Sequence, residues 1–85
     1  MGSYKILIKP SAVKEIEAIP QRERRRIIAR IQGLSSDPRP LGSEKLSGQD
    51  KFRVRQGVYR IVYSVTDDEP SVLIVKVGHR KEVYR

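Results

Sequence analysis

Cysteine and tryptophan are both absent from this sequence. Without cysteine there is no disulfide framework, no thiolate zinc site and no cysteine nucleophile. The single histidine, His79, cannot build a histidine metal cluster, and Ser47 and Ser64 have no histidine–acid partnership to make them hydrolase nucleophiles. No apolar run approaches the ~20 residues of a membrane-spanning helix, and the N-terminus carries no signal-peptide pattern. Internal repeats and low-complexity tracts are also missing. These absences predict a soluble, cytoplasmic chain that uses no metal and no cofactor. Its 85 residues make a single domain, 1–85, with a thin core.

What the chain has in excess is positive charge. Eighteen lysines and arginines stand against ten acids, a net charge of +8. On so small a body this field attracts polyanions and speeds their encounter. Nucleic acid is the first partner it suggests, a membrane surface the second and an acidic protein the third.

The pattern along the chain predicts an order of strand, helix, helix and three strands. Tyr4 to Lys9 is rich in strand formers and ends at Pro10. Ser11 reads as an N-cap, with Val13, Ile16 and Ile19 on one face of a short helix. Pro20 stops that helix and opens a second, whose stripe is Ile27, Ile28, Ile31 and Leu34. Residues 35–48 hold prolines and glycines without periodicity and read as a loop. The period then switches to two. Phe52 and Val54 face one way, Arg53 and Arg55 the other. Val58 to Val65 and Ser71 to Val77 follow as strands joined by a turn at 66–70. The expected fold is therefore α+β, a small antiparallel sheet with a two-helix N-terminal hairpin packed on one face. The run from Val72 to Val75 predicts a strand inside the sheet.

Three groupings carry possible chemistry. Arg53 and Arg55 share a strand face, Arg60 lies on the next strand and Arg80 follows the last. Neighbouring strands would bring the four guanidiniums together, where a bridging phosphate accounts for a cluster that otherwise only repels itself. Arg60 is expected to point to the surface. His79, Arg80 and Tyr84 form the second grouping, since nearby cations favour a phenolate and so a general base. Arg22, Arg24, Arg25 and Arg26 form the third, a solvated helix face suited to polyanion encounter. Asp67, Asp68 and Glu69 are consecutive in a turn with no second ligand cluster, which fits a solvated turn rather than a metal site.

Taken in order, Phe52–Arg53–Val54–Arg55, Gly57–Val58–Tyr59–Arg60–Ile61–Val62–Tyr63 and Val77–Gly78–His79–Arg80 with Tyr84 resemble the RelE-type toxins of the RelE/ParE superfamily. The resemblance spans Tyr4 to Arg85 and includes Pro38, Lys45, Leu46 and Gly48 of the loop. It implies a metal-independent endoribonuclease that cuts messenger RNA in the ribosomal A site. The RNA's own 2′-hydroxyl would attack the adjacent phosphate, leaving a 2′,3′-cyclic phosphate. The partners it implies are a cognate antitoxin, messenger RNA and the 70S ribosome, with no membrane. It assigns phosphate binding to Arg53 and Arg55, with Lys51 and Lys45 beside them. Arg60 becomes a transition-state clamp, Arg80 the acid or charge partner for the leaving oxygen, and Tyr84 the base, with His79 as its rival. This chain has arginine at 53 and 55 where some members have lysine, which favours phosphate binding over proton transfer there. The same superfamily holds ParE-like toxins that inhibit DNA gyrase by binding, and a non-catalytic nucleic-acid-binding module is the remaining alternative.

Overall fold

A computed structural model describes residues 3–46 and 50–79. The elements are β1 (Lys5–Ile8), α1 (Pro10–Glu17), α2 (Gln21–Gly33), β2 (Glu44–Lys45), β3 (Lys51–Gln56), β4 (Tyr59–Thr66) and β5 (Ser71–His79). Together they form an α+β fold, two helices on one five-stranded sheet of order β1-β5-β4-β3-β2.

The prolines set the helix boundaries. Pro10 both ends β1 and occupies the first turn of α1, where its missing N–H costs nothing. Lys9, not the expected Ser11, is the N-cap residue, and no side chain caps this end. Pro20 is the N-cap residue of α2. Beyond α2, Ser35 pins the start of the chain: its carbonyl accepts from the Tyr4 N–H at 2.7 Å, and its hydroxyl donates to the Tyr4 carbonyl at 2.7 Å.

The sheet is mixed rather than wholly antiparallel. The two helices carry the chain from β1, across one face, to β2 at the far edge. Three reversals then bring β5 back alongside β1 in the same direction, so β1 and β5 pair in parallel while the other neighbours pair antiparallel. β5 thus lies inside the sheet, as its apolar run predicts. β2 falls in the expected loop; its two residues pair with Arg53 and Phe52.

One apolar layer joins helices to sheet. Ala12, Ile16 and Ile19 from α1 and the turn after it, and Ile27, Ile31 and Leu34 from α2 and its C-cap, meet Val54, Ile61, Tyr63, Val72, Ile74 and Val77. Two expected stripe members lie outside this layer. Val13 and Ile28 are 38% and 40% exposed, because each helix is wide enough to bury only part of its apolar arc. Ala12 takes the place expected for Val13, letting α1 approach the sheet closely.

β1 is too short to cover the whole of β5, and Glu15 of α1 completes the edge. Its carboxylate accepts from the Val77 N–H at 3.0 Å and from Lys76 Nζ at 3.1 Å. A backbone donor that β1 cannot reach is satisfied in this way.

Candidate nucleic-acid interface

Ladder partners share a sheet face, so the register locates each cation. Lys51 pairs with Ser64, Arg53 with Val62, and Arg55 with Arg60. Arg60 in turn pairs with Gly78. Val54, Ile61 and Tyr63 occupy the alternate positions and build the core. Lys51, Arg53, Arg55 and Arg60 therefore all belong to the outer face, turned away from the helices. Gly78 contributes no side chain beside Arg60.

The arginines differ in environment. Arg55 is exposed, whereas Arg60 retains 7% exposure and is the buried charged residue of the sheet. The surface-pointing Arg60 expected from the sequence is thus corrected: β4 is an inner strand, paired on both sides, and Arg60 is buried although it faces away from the helices. Arg53, with 15% of its side chain exposed, is ion-paired to Glu44 of β2. The Arg55–Arg60 register concentrates guanidinium donors suited to a phosphate on this face.

Lys45 does not join this group. Its register partner is Phe52, which packs against the core, so Lys45 sits on the opposite face of the β2 edge. His79 is also placed apart. It pairs with Tyr59, and the two rings meet edge-to-face with centroids 6.2 Å apart. Together with Glu15, Ala18, Ile19 and Val77 they line a cleft of about 400 Å³ on the helix side. The cause is a bulge. Val62 pairs with Lys76 and Tyr63 with Ile74, leaving Val75 as an extra residue in β5. One inserted residue reverses the alternation that follows it. Gly78 is thereby placed opposite Arg60, and His79 on the other face. Arg80 and Tyr84 lie outside the described residues.

Beyond the arginine face, Asp67 of the β4–β5 turn accepts from the Tyr4 hydroxyl at 2.7 Å and forms an ion pair with Arg39 at 3.0 Å. Arg39 and Tyr4 hold the Asp67 carboxyl below its ordinary range, and the carboxylate in turn pushes the Tyr4 phenol up. Arg39 also lies over the Phe52 ring, 5.3 Å from its centroid. Sequence reasoning missed this network and the Glu44–Arg53 pair alike, because each joins residues whose proximity depends on the ladder. Arg26, from the arginine run of α2, lines a cleft with Glu23 and the β3–β4 turn, residues 56–59.

Residues 6–84 match the family described as ParE toxin of type II toxin–antitoxin systems. The chain belongs to that family, within the RelE/ParE superfamily. A curated relative, Toxin RelG of Mycobacterium tuberculosis, is 29% identical over 96% of this chain and 97% of its own length. Among solved structures, the RelBE2 toxin–antitoxin complex of M. tuberculosis matches with a TM-score of 0.84 at 26% identity, covering 96% of this chain and 97% of that one. The archaeal RelE–RelB complex of Pyrococcus horikoshii matches with a TM-score of 0.80 at 27% identity, covering 94% and 98%. The toxin fold of the superfamily is therefore the fold on which the outer arginine face is built.

Proposed function

We propose that this toxin is a metal-independent endoribonuclease that cuts messenger RNA in the ribosomal A site and is held in check by a cognate antitoxin in the cytoplasm. The observation that carries this reading is the outer face, where Arg55 and Arg60 stand opposite one another with Arg53 and Lys51 in line. Fixed guanidiniums bind phosphate oxygens bidentately and stay charged as a phosphorane develops. The names of the relatives, RelG and RelE, support the RNA-cleaving branch, and solved neighbours in complex with RelB support the antitoxin partner.

In this reading the phenolate of Tyr84 takes the proton from the 2′-hydroxyl, whose oxygen attacks the adjacent phosphorus. The bond from phosphorus to the 5′ oxygen breaks, the 2′,3′-cyclic phosphate forms, and the 5′ oxygen takes up a proton from water to leave as a hydroxyl. The nucleophile is already next to its target, so orientation supplies much of the rate. Arg60 clamps the equatorial oxygens, Arg53, Arg55 and Lys51 hold the backbone, and Arg80 offsets charge on the leaving oxygen. The ring of His79, the rival base, lies on the helix side of the sheet against Tyr59, which favours Tyr84 for this role.

The description of the matching family favours a second reading, inhibition of DNA gyrase by binding alone. One experiment separates them. Programmed ribosomes and naked RNA are incubated with the protein in chelator, cut sites and end chemistry are mapped, and gyrase supercoiling is assayed in parallel. Cleavage leaving 2′,3′-cyclic phosphate and 5′-hydroxyl ends supports the ribonuclease. Intact RNA with inhibited gyrase overturns it.

A further inference from the structure

Lys5, Lys45, Lys51, Arg53, Arg55, Arg60 and Lys76 all lie in strands, and Glu44 is the one acidic residue in the five strands. That acid stands opposite Arg53 and is ion-paired to it. Arg53 shares its face with Arg55 and Arg60. The Glu44 carboxylate is thus an anion attached to the arginine face by the protein's own backbone. Its side chain is 57% exposed and it belongs to a two-residue edge strand, so little packing holds it there. A carboxylate and a phosphate present similar oxygen geometry to a guanidinium fork.

We propose that Glu44 is a tethered competitor for Arg53, which sets how many phosphates the outer face binds. The inference rests on the phosphate-binding role given to this face above. With Glu44 seated, the exposed Arg55 takes the first phosphate. Arg53 takes a neighbouring phosphate only by giving up its carboxylate, so the gain from that contact is reduced by the pair that is lost. The β2 edge therefore discriminates against loosely held backbone and favours a strand presented at high effective concentration, as on a larger assembly. With its acid 57% exposed, the ion pair is weak enough for this exchange to be reversible.

The test uses the full chain and a single-stranded DNA oligonucleotide, which lacks the 2′-hydroxyl and cannot be cut. Affinity is measured across a salt series for wild type, Glu44→Gln, Arg53→Gln, the double variant and Arg60→Gln, with circular dichroism melts of each. Each phosphate neutralised on a single strand contributes about −0.7 to the slope of log K against log salt. Glu44→Gln is expected to steepen the slope by up to about 0.7 and to tighten binding about three-fold at low salt. Both changes are expected to vanish in the Arg53→Gln background, the signature of a pairwise interaction. An equal gain in that background means that Glu44 acts only through net charge and overturns the proposal. Unchanged or weaker binding by Glu44→Gln also overturns it. Arg60→Gln separates the two levels: if it binds as wild type does, the phosphate-binding role of the face itself fails and the inference falls with it. If Arg60→Gln loses affinity while Glu44→Gln gains none, only the inference is lost.

Discussion

Arg55 and Arg60 stand directly opposite each other on the antiparallel β3–β4 ladder, one exposed and the other with 7% of its surface accessible. This register brings two guanidinium forks to one point of the outer face, an arrangement suited to a phosphate.

Arg60→Gln should lower single-turnover cleavage by roughly 10²–10³, the scale of a lost donor to transition-state charge. Arg60→Lys keeps the charge but loses the fork and should recover only part of that. Because Arg60 is buried, a thermal melt must accompany the kinetics. A folded Arg60→Gln protein that cuts at the wild-type rate would remove Arg60 from the mechanism.

Tyr84→Phe should reduce the single-turnover rate by roughly 10²-fold or more without weakening complex formation, whereas His79→Gln should change it little. The ring of His79 meets Tyr59, not the arginine face. A pH–rate limb near ~6.5 that disappears in His79→Gln would return the base role to that residue.

Tyr63→Phe tests the loop after α2. The buried Tyr63 hydroxyl donates to the Pro38 carbonyl at 2.7 Å. Its loss should cost about 1–2 kcal/mol in urea denaturation at constant m-value. Burial also pushes the Tyr63 phenol above its ordinary 10.0. The folded value is the higher one, so this contribution is complete below 10.0 and declines as pH rises past it toward the folded value. Tyr63→Phe should therefore lose less stability than wild type over that alkaline interval.

Asp67→Asn should flatten the acid limb of stability. The Arg39 guanidinium, and then the Tyr4 hydroxyl, hold the Asp67 carboxyl below its ordinary 3.8. The folded value is the lower one, so the contribution is present above 3.8 and is lost as pH falls through the folded value. Melting temperatures of the two proteins should converge at the acid end; parallel curves would show that the network does not contribute to the fold.

Gly57→Ala should destabilise the β3–β4 hairpin by about 1–2 kcal/mol. Gly57 has φ of +62° at the first central position of a two-residue loop between the paired residues Gln56 and Tyr59, and a Cβ there meets no atom within 4 Å. The cost is thus conformational rather than steric with neighbours, and chemical denaturation of the single variant measures it.

Local signals were sufficient for most elements of this toxin. Pro20 marks the start of α2, the expected stripe holds the buried Ile27, Ile31 and Leu34 along with the exposed Ile28, and the alternation from Lys51 to Arg55 places Arg53 and Arg55 on one face before any partner strand is known. These are properties of a residue and its near neighbours, which the sequence states directly. Which strands lie side by side is a property of hydrogen bonds between distant segments. The parallel β1–β5 pair, the two-residue β2 and the Glu44–Arg53 pair all depend on it. The bulge at Val75 shows how much one such choice controls. With uninterrupted alternation from Val72 and Ile74, Gly78 would share the core face and His79 the face of Arg60. The extra residue exchanges them, because side-chain parity along a strand is counted through the ladder and not through the sequence alone.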